Sequence, residues 1–295
     1  MNSIREKIIN DFLGHGEFIE IPCSSKYTNN QPIYVCKDSG LVRAKITKSS
    51  KEIAEIWSNE IFGDKISETT YTAKNPAVVA RQNYVTEFAK QNIDFTNKSV
   101  CDIGAGEGEF LKIFKRECPN TKISGIEPSI KNCEILSGNS ISNYCGTLEE
   151  YRDSNEFKER SYDVIFMMWT LVNSHSCLRM VEIAKEMLKP GGYLVLAEGS
   201  RINVPFKKPL SLYFSKLNVE LHPWHFSKNS LQNLLKVNGF SISSVNRYID
   251  TDYLCVIGKK DELGSSEYYI DDFKEILEFF KRWDKESITL LHELN

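Results

Sequence analysis

The stretch VCDIGAGEGEF, residues 100–110, places three glycines at alternate positions two residues after an aspartate. The residues concerned are Asp102, Gly104, Ala105, Gly106 and Gly108. Apolar residues before the glycines are typical of a short buried strand, and the residues after them are typical of a helix. Glycines at such a turn let the backbone approach a ligand and leave free N–H groups at the helix start. The stretch therefore predicts a ligand-binding turn.

From Lys98 onward, apolar stretches of strand length alternate with amphipathic stretches of helix length. The strand candidates include KSVCDIG, KISGIEP, YDVIFMMWTLV and YLVLAEGS, and the helix candidates between them include EFLKIFKREC, SIKNCEILSG and LRMVEIAKEMLKPGG. SISSVNRYI and DYLCVIGKK complete the pattern as a hairpin. This order predicts an α/β fold with a doubly wound, Rossmann-like sheet of seven mostly parallel strands between helices.

Composition divides the chain into three segments. Residues 1–50 are polar and rich in turns, which predicts a small N-terminal lobe. Residues 51–262 hold the predicted sheet and its helices, with an insertion at about 201–227, and residues 263–295 form a helical tail. The tail carries an apolar stripe at helical spacing, Phe273, Ile276, Leu277 and Phe280. Such a stripe indicates core packing or a contact between subunits of a homo-oligomer.

The overall charge argues against polyanionic partners. Lys and Arg total 37 and Asp and Glu total 40, a formal net charge of -3, so we expect neither nucleic acid nor a membrane surface as partner. We find no signal peptide and no transmembrane segment in the sequence, and we expect a cytoplasmic protein. The eight cysteines form no C-x-x-C pair, which predicts reduced thiols.

Two carboxylates indicate the kind of ligand. Asp102 stands beside the glycine turn, where its charge favours a cationic ligand group and disfavours a pyrophosphate. Glu127 ends the next predicted strand, a position from which a carboxylate can accept hydrogen bonds from both hydroxyls of a ribose. The alternative for Glu127 is a solvated loop acid. The pair favours an adenosine-containing ligand with a positive charge over a dinucleotide.

VCDIGAGEGEF, ISGIEPS, YDVIFMMWTLV and LKPGGYLVLAEG together resemble the motifs of class I S-adenosylmethionine-dependent methyltransferases, over about residues 80–260. The resemblance implies S-adenosylmethionine as cofactor and S-adenosylhomocysteine as product. It also implies cofactor contacts. Asp102, Gly104 and Gly106 would line the methionyl part, Glu127 the ribose hydroxyls, Thr147 and Leu148 the adenine, and Met168 and Trp169 the transferring methyl group. Ala105 and Pro128 would be further cofactor contacts.

A base is needed if the methyl acceptor is a hydroxyl, because its proton must leave during transfer. VELHPWHFSKNSLQNLLKVNGF resembles a segment of bacterial methyltransferases that act on nucleotide-linked sugars, which implies His222 as the base. Leu221 stands where that family has a glutamate, and a structural loop histidine is the alternative. Asn173 and His175 follow the fourth predicted strand and are candidates for orienting the acceptor. For His225 we expect packing.

The N-terminal lobe resembles the zinc module that begins sugar methyltransferases of this kind. CSSK and CKDSGL correspond to its two C-x-x-C knuckles, with Lys26 and Ser39 in place of one cysteine in each. Cys23 and Cys36 remain, and two thiolates do not complete a tetrahedral zinc site. We therefore expect no bound metal.

The sequence predicts an S-adenosylmethionine-dependent methyltransferase that acts on a hydroxyl of a small sugar- or phosphate-containing metabolite in bacterial surface-polysaccharide biosynthesis. The insertion combines aromatic residues with Arg201, Lys207, Lys208 and Lys216, which suits a nucleotide-linked or phosphorylated acceptor. The alternatives are methylation of another small metabolite or of a protein nitrogen, a catalytically silent cofactor-binding subunit, and a nicotinamide oxidoreductase.

Overall fold

The computed structural model describes residues 11, 16–45, 48–61, 75–199, 202–204, 209–214, 221–247, 253–261 and 267–293. The strands are β1 (Phe18–Glu20), β2 (Ile33–Cys36), β3 (Val42–Ala44), β4 (Ser99–Ile103), β5 (Lys122–Glu127), β6 (Ser142–Cys145), β7 (Tyr162–Met168), β8 (Leu188–Gly199), β9 (Trp224–His225), β10 (Phe240–Val245) and β11 (Tyr253–Lys260). They form two sheets.

Helices cover both faces of the larger sheet and fill the space beside the smaller one. They are α1 (Ser24–Tyr27), α2 (Ser50–Ile56), α3 (Pro76–Asn92), α4 (Glu109–Glu117), α5 (Ile130–Gly138), α6 (Leu148–Asp153), α7 (Cys177–Met187), α8 (Leu210–Tyr213), α9 (Lys228–Val237) and α10 (Phe273–Glu293). A π-helical turn, Trp57–Ile61, continues α2, and a 3-10 turn, Leu171–Asn173, follows β7.

The larger sheet has the strand order β10-β11-β8-β7-β4-β5-β6. The strands β4 to β8 are parallel, while β11 runs antiparallel to β8 and pairs with β10 as a hairpin. Helices bury both faces, which is why the central strands are almost continuously apolar, with Val100, Val164 and Phe166 fully buried. The predicted fold class is confirmed. Parallel pairing brings the carboxyl ends of β4, β5, β6 and β7 to one edge.

The smaller sheet is antiparallel, with the order β1-β2-β3-β9. Its last strand comes from far along the chain, since Val42 pairs with His225 and Arg43 with Trp224. Its core also draws on α8 and α10 through Leu210, Phe214, Ile276, Phe280 and Trp283. The three segments differ in composition along the sequence, but side chains from all of them pack together in this core. In the tail stripe, Ile276 and Phe280 are fully buried in this core.

The cysteines of the N-terminal lobe lie in different surroundings. The Cys23 thiol donates a hydrogen bond to the Phe280 carbonyl oxygen at 3.8 Å, and burial raises its pKa to about 11. Cys36 is buried at the end of β2, and its thiol donates to Asp11. Lys26 forms an ion pair with Asp284 of α10 at 3.0 Å. Among the described residues, no three His, Cys, Asp or Glu side chains are grouped to hold a metal ion.

All eight cysteines are free thiols in the structure. In the part of the chain that the structure describes, no helix is both long enough and apolar enough to cross a bilayer.

Candidate functional site

A cavity of about 370 Å³ lies at the edge where β4, β5, β6 and β7 end. Every cofactor-binding and catalytic residue predicted from the sequence lines it, namely Asp102, Gly104, Ala105, Gly106, Glu127, Pro128, Thr147, Leu148, Met168, Trp169, Asn173, His175 and His222. The structure thus brings the predicted cofactor-binding and catalytic residues together around one space. The role of each remains a prediction.

The glycine turn after β4 forms one wall of the cavity. Gly104 has a φ of +78°, and a Cβ on it would lie 2.6 Å from Oγ1 of Thr170. Gly106 has a φ of +54°, and a Cβ there would have no heavy atom of the described residues within 4 Å. Both backbones favour glycine because their φ values are positive, and at Gly104 a Cβ would also clash with the neighbouring turn. Gly106 borders the open space of the cavity.

Glu127 ends β5 and is fixed by three donors. Its Oε2 accepts a hydrogen bond from the Gly106 N–H at 2.8 Å. Its Oε1 accepts from the Ser129 N–H at 2.9 Å and from Nδ2 of Asn132 at 3.3 Å. Burial raises its pKa, and these hydrogen bonds oppose that rise because they stabilise the ionised form. The carboxylate is therefore held against the glycine turn.

Asp102 is 2% exposed, and its Oδ1 has no hydrogen-bond partner among the described residues. Its pKa lies well above the usual range because of burial and, next, the nearby charge of Glu127. A buried carboxyl oxygen without a donor is energetically unfavourable. A cationic group of a bound ligand would correct this, so the residues present fit the predicted cofactor.

The turn after β7 forms the opposite wall. Trp169 has a φ of +54°, which is rare for a residue with a bulky side chain. Its backbone N–H donates to the Ala197 carbonyl oxygen at 2.7 Å. The Arg81 guanidinium lies 4.3 Å from its ring centroid. Nδ2 of Asn173 donates to the Trp169 carbonyl oxygen at 2.8 Å, while Oδ1 of Asn173 is buried with no partner within the described ranges. Asn173 can thus accept a hydrogen bond from a ligand.

The histidines differ in their surroundings. The His222 ring lies edge-on to Trp57, with centroids 5.9 Å apart. His175 is exposed, and its Nδ1 lies 2.8 Å from the Lys48 carbonyl oxygen. His225 is buried outside the cavity with its Nδ1 3.1 Å from the Tyr213 hydroxyl, and burial lowers its pKa to about 3. His225 stays neutral and matches the packing interpretation.

Sequence reasoning missed the part of the cavity that α2 and α3 form. Ser50, Ile53, Ala54, Trp57, Val78, Arg81 and Gln82 line this part. Oγ of Ser50 donates to Oε1 of Glu149 at 2.7 Å, which ties α2 to α6. The amphipathic pattern of α2 indicated only a helix beside the sheet, and it does not distinguish a cavity-lining face from a core face.

The structure describes only part of the insertion. Its predicted phosphate-binding cations, Arg201, Lys207, Lys208 and Lys216, lie outside the described residues. Of the described part, His222 lines the cavity and Leu221 beside it is buried.

Comparison with known proteins gives a family and several distant relatives. Residues 77–245, more than half of the chain, match the family described as methyltransferase domain. A demethylmenaquinone methyltransferase of Lactococcus lactis is 25% identical over 189 residues, covering 58% of this chain and 69% of the relative. A tRNA U34 carboxymethyltransferase of Desulfotalea psychrophila is 27% identical over 170 residues, 55% of this chain and 48% of the relative. The mitomycin 7-O-methyltransferase structure aligns with a TM-score of 0.54 at 14% identity, covering 72% of this chain and 61% of that one.

Proposed function

Because the chain belongs to the methyltransferase domain family, we propose that it transfers a methyl group from S-adenosylmethionine to a hydroxyl group of a small metabolite. The observation that carries this proposal is that Asp102 and Glu127, suited to a cationic adenosine ligand, share one cavity with Asn173 and His222. The acceptor-side residues therefore lie within the same space as the predicted cofactor contacts.

The residues predicted to bind the cofactor already line one cavity. Asp102 would bind the ammonium group of the methionyl part, and Glu127 would bind the ribose hydroxyls. Thr147 caps α6, because its Oγ1 accepts from the Glu150 N–H at 3.2 Å, so the residues predicted beside the adenine stand at a fixed helix start.

The acceptor side orients a hydroxyl and removes its proton. The bound cofactor supplies an electrophilic methyl group on a positively charged sulfur. Oδ1 of Asn173 would accept a hydrogen bond from the acceptor, and the Trp57 ring restricts where the His222 ring can lie. His222 would take the hydroxyl proton as the methyl group is transferred.

We propose that the acceptor is a sugar- or phosphate-containing metabolite of bacterial surface-polysaccharide biosynthesis. Two features of the sequence support this identity, and both lie in the insertion or directly after it. The first is the resemblance carried by VELHPWHFSKNSLQNLLKVNGF, and the second is the presence of four cations at 201–216. The cytoplasm, where nucleotide-linked sugars are used, is the proposed location.

A hydroxylated aromatic ring is the second candidate acceptor. Trp57, Trp169, Ile53 and Met180 line the cavity and offer aromatic and apolar surface to such a ring. The Lactococcus lactis relative is named for an aromatic quinone, demethylmenaquinone, as the substrate of that protein.

The first experiment is calorimetric titration of the protein with S-adenosylmethionine, S-adenosylhomocysteine and NADH. We expect binding of the first two and a loss of at least tenfold in affinity for Glu127→Ala, because ribose contacts to a buried carboxylate are charge-assisted hydrogen bonds. Glu182→Ala, an exposed glutamate on α7, should bind as the wild type does. Binding of NADH alone would overturn the proposal.

The second experiment measures S-adenosylhomocysteine release with nucleotide sugars, phosphorylated sugars and hydroxylated aromatics as acceptors. His222→Gln should lower kcat by about a hundredfold, the usual contribution of a general base, with unchanged S-adenosylhomocysteine affinity. Normal turnover by His222→Gln would remove the base from the mechanism. Cofactor binding without turnover of any acceptor would favour a silent subunit.

A further inference from the structure

The carboxyl group of Glu198 is fully buried behind the turn that follows β7, although neither cofactor binding nor proton removal uses it. Glu198 lies near the end of β8 and is not among the cavity-lining residues. Its Oε1 accepts a hydrogen bond from the Leu171 N–H at 2.9 Å. Its Oε2 is buried with no partner in the described parts of the chain.

The groups that face this carboxyl group carry no charge near neutral pH. Cys255 of β11 and Cys177 of α7 both interact with Glu198. Burial raises the pKa of Cys255 to about 12, and it raises that of Cys177 well above the usual range. Cys177 also interacts with Arg43 of β3, whose guanidinium lies 4.0 Å from the Trp224 ring centroid. No described anion competes with Glu198 for the amide groups of the turn.

The turn itself needs support. Trp169 holds a left-handed backbone conformation, which is unfavourable for a large side chain unless the surroundings enforce it. Of the amides that follow, the Leu171 N–H donates to Glu198, and the backbone of Thr170 and Val172 also lowers the pKa of its carboxyl group. Asn173 follows directly and depends on the turn, since its Nδ2 donates to the Trp169 carbonyl oxygen.

We propose that Glu198 is a positioning residue: its carboxyl group, acting from behind the cavity wall, fixes the turn that presents Trp169 and Asn173 to the methyl acceptor. This role rests on the proposed acceptor site. Trp169 in this turn has a left-handed backbone conformation, and the Glu198 carboxyl group accepts a hydrogen bond from the Leu171 N–H two residues later.

The role has a pH signature. Burial raises the pKa of Glu198 to about 8, against the opposing effect of the backbone hydrogen bonds. An ionised carboxylate accepts stronger hydrogen bonds from N–H groups than a neutral carboxyl group does. A turn that opens while Glu198 stays buried loses the donors that lower the pKa of this carboxyl group, so its pKa is higher in the open turn than in the closed one. Ionisation therefore favours the closed turn, which should tighten as the pH rises through about 8 and loosen as the pH falls below it.

The test is amide hydrogen exchange of residues 170–172 in the full chain between pH 6.5 and about 9.5, corrected for the intrinsic pH dependence of exchange. Protection in the wild type should rise about fivefold across this interval, as expected from the gain of a charge-assisted hydrogen bond. Glu198→Gln keeps an acceptor oxygen but cannot ionise, so it should retain partial protection with no pH step. Glu198→Leu should lose protection at every pH.

Glu182→Gln is the matched control, because Glu182 is exposed on α7, and it should show the wild-type step. If Glu198→Leu does not fold, the comparison of Glu198→Gln with the wild type decides alone. A pH step in Glu198→Gln, or none in the wild type, would overturn the proposal. The readout needs no acceptor, so its failure is distinct from failure of the proposed methyl transfer, which is measured by turnover.

Discussion

At the scale of single residues, Asp102 lowers the free energy of unfolding of the ligand-free protein. A buried carboxyl group with an unpartnered oxygen opposes folding, and Glu127 adds a like charge to its surroundings. Binding sites commonly hold such groups because the ligand supplies the missing partner. The Asp102 side chain therefore lowers the stability of the fold and, by the same unpartnered carboxyl group, favours cofactor binding.

Asp102→Asn should separate the two effects. The variant should bind S-adenosylmethionine at least tenfold more weakly, because a charge-assisted hydrogen bond is lost. It should also become more stable than the wild type as the pH rises above about 4. The native state of the wild type keeps its proton to a higher pH than the unfolded state, so its stability falls as the pH rises toward the raised native pKa. Calorimetric titration and thermal unfolding at pH 4 and 8 measure both.

Glu117→Gln is the control for this prediction, because Glu117 is a partly exposed acid on α4. It should leave cofactor affinity unchanged. Equal affinity of Asp102→Asn and the wild type would mean that Asp102 does not contact the cationic end of the cofactor.

Four of the cofactor contacts that sequence reasoning identified share one property. Asp102, Glu127, Thr147 and Trp169 each lie at or directly after the carboxyl end of a parallel strand, and parallel pairing makes that position predictable. Trp57 and Arg81 reach the same cavity from helices outside the sheet, and their place depends on how α2 and α3 pack. Glu198 was missed because a glutamate near a strand end resembles a solvated loop acid until its burial is known.

At the scale of elements, α2 and the π-helical turn after it extend along the cavity between three separate anchors. Ser50 is bonded to Glu149, the Lys48 carbonyl oxygen lies beside His175, and Trp57 contacts His222. The start of α2 can be predicted from the sequence, because Ser49 and Glu52 have the spacing of a capping box and form one in the structure. The π-helical turn that brings Trp57 to the cavity cannot be predicted in this way, because it depends on tertiary contacts.

Ser50→Ala should loosen the anchor at the start of α2. Losing one partly buried hydrogen bond of about 1 kcal/mol should speed dissociation of S-adenosylhomocysteine about fivefold, since α2 lines the cavity. Stopped-flow measurement of dissociation tests this. Ser25→Ala removes a comparable serine–glutamate bond in the smaller lobe, to Glu20, and should leave the rate unchanged. Equal rates for both variants would show that the anchor does not limit release.

At the scale of the whole molecule, the smaller sheet is held by residues from both ends of the chain. Trp283 of α10 is 1% exposed and packs against Tyr213 and Phe280, with ring centroids 4.9 Å and 6.1 Å away. The sequence predicted a small N-terminal lobe and the apolar stripe of the tail. It did not predict that they meet, because neither pattern carries information on partners distant in sequence.

Trp283→Ala should lower the free energy of unfolding by about 3 to 5 kcal/mol, as expected for removal of a large buried aromatic side chain. Urea unfolding measures this. Lys281→Ala, two residues earlier on the exposed face of α10, should change the free energy by less than about 0.5 kcal/mol. A small effect of Trp283→Ala would mean that α10 is not part of the cooperative core.

The pairing of Val42 and Arg43 with β9 also has a consequence for synthesis on the ribosome. The first three strands of the smaller sheet emerge early, but their edge partner is made about 180 residues later, and α10 later still. Until then the edge of β3 and its apolar face lack their native cover. The nascent chain should therefore keep its N-terminal segment open to chaperones until β9 and α10 have been made, while the central strands of the larger sheet can already be assembling.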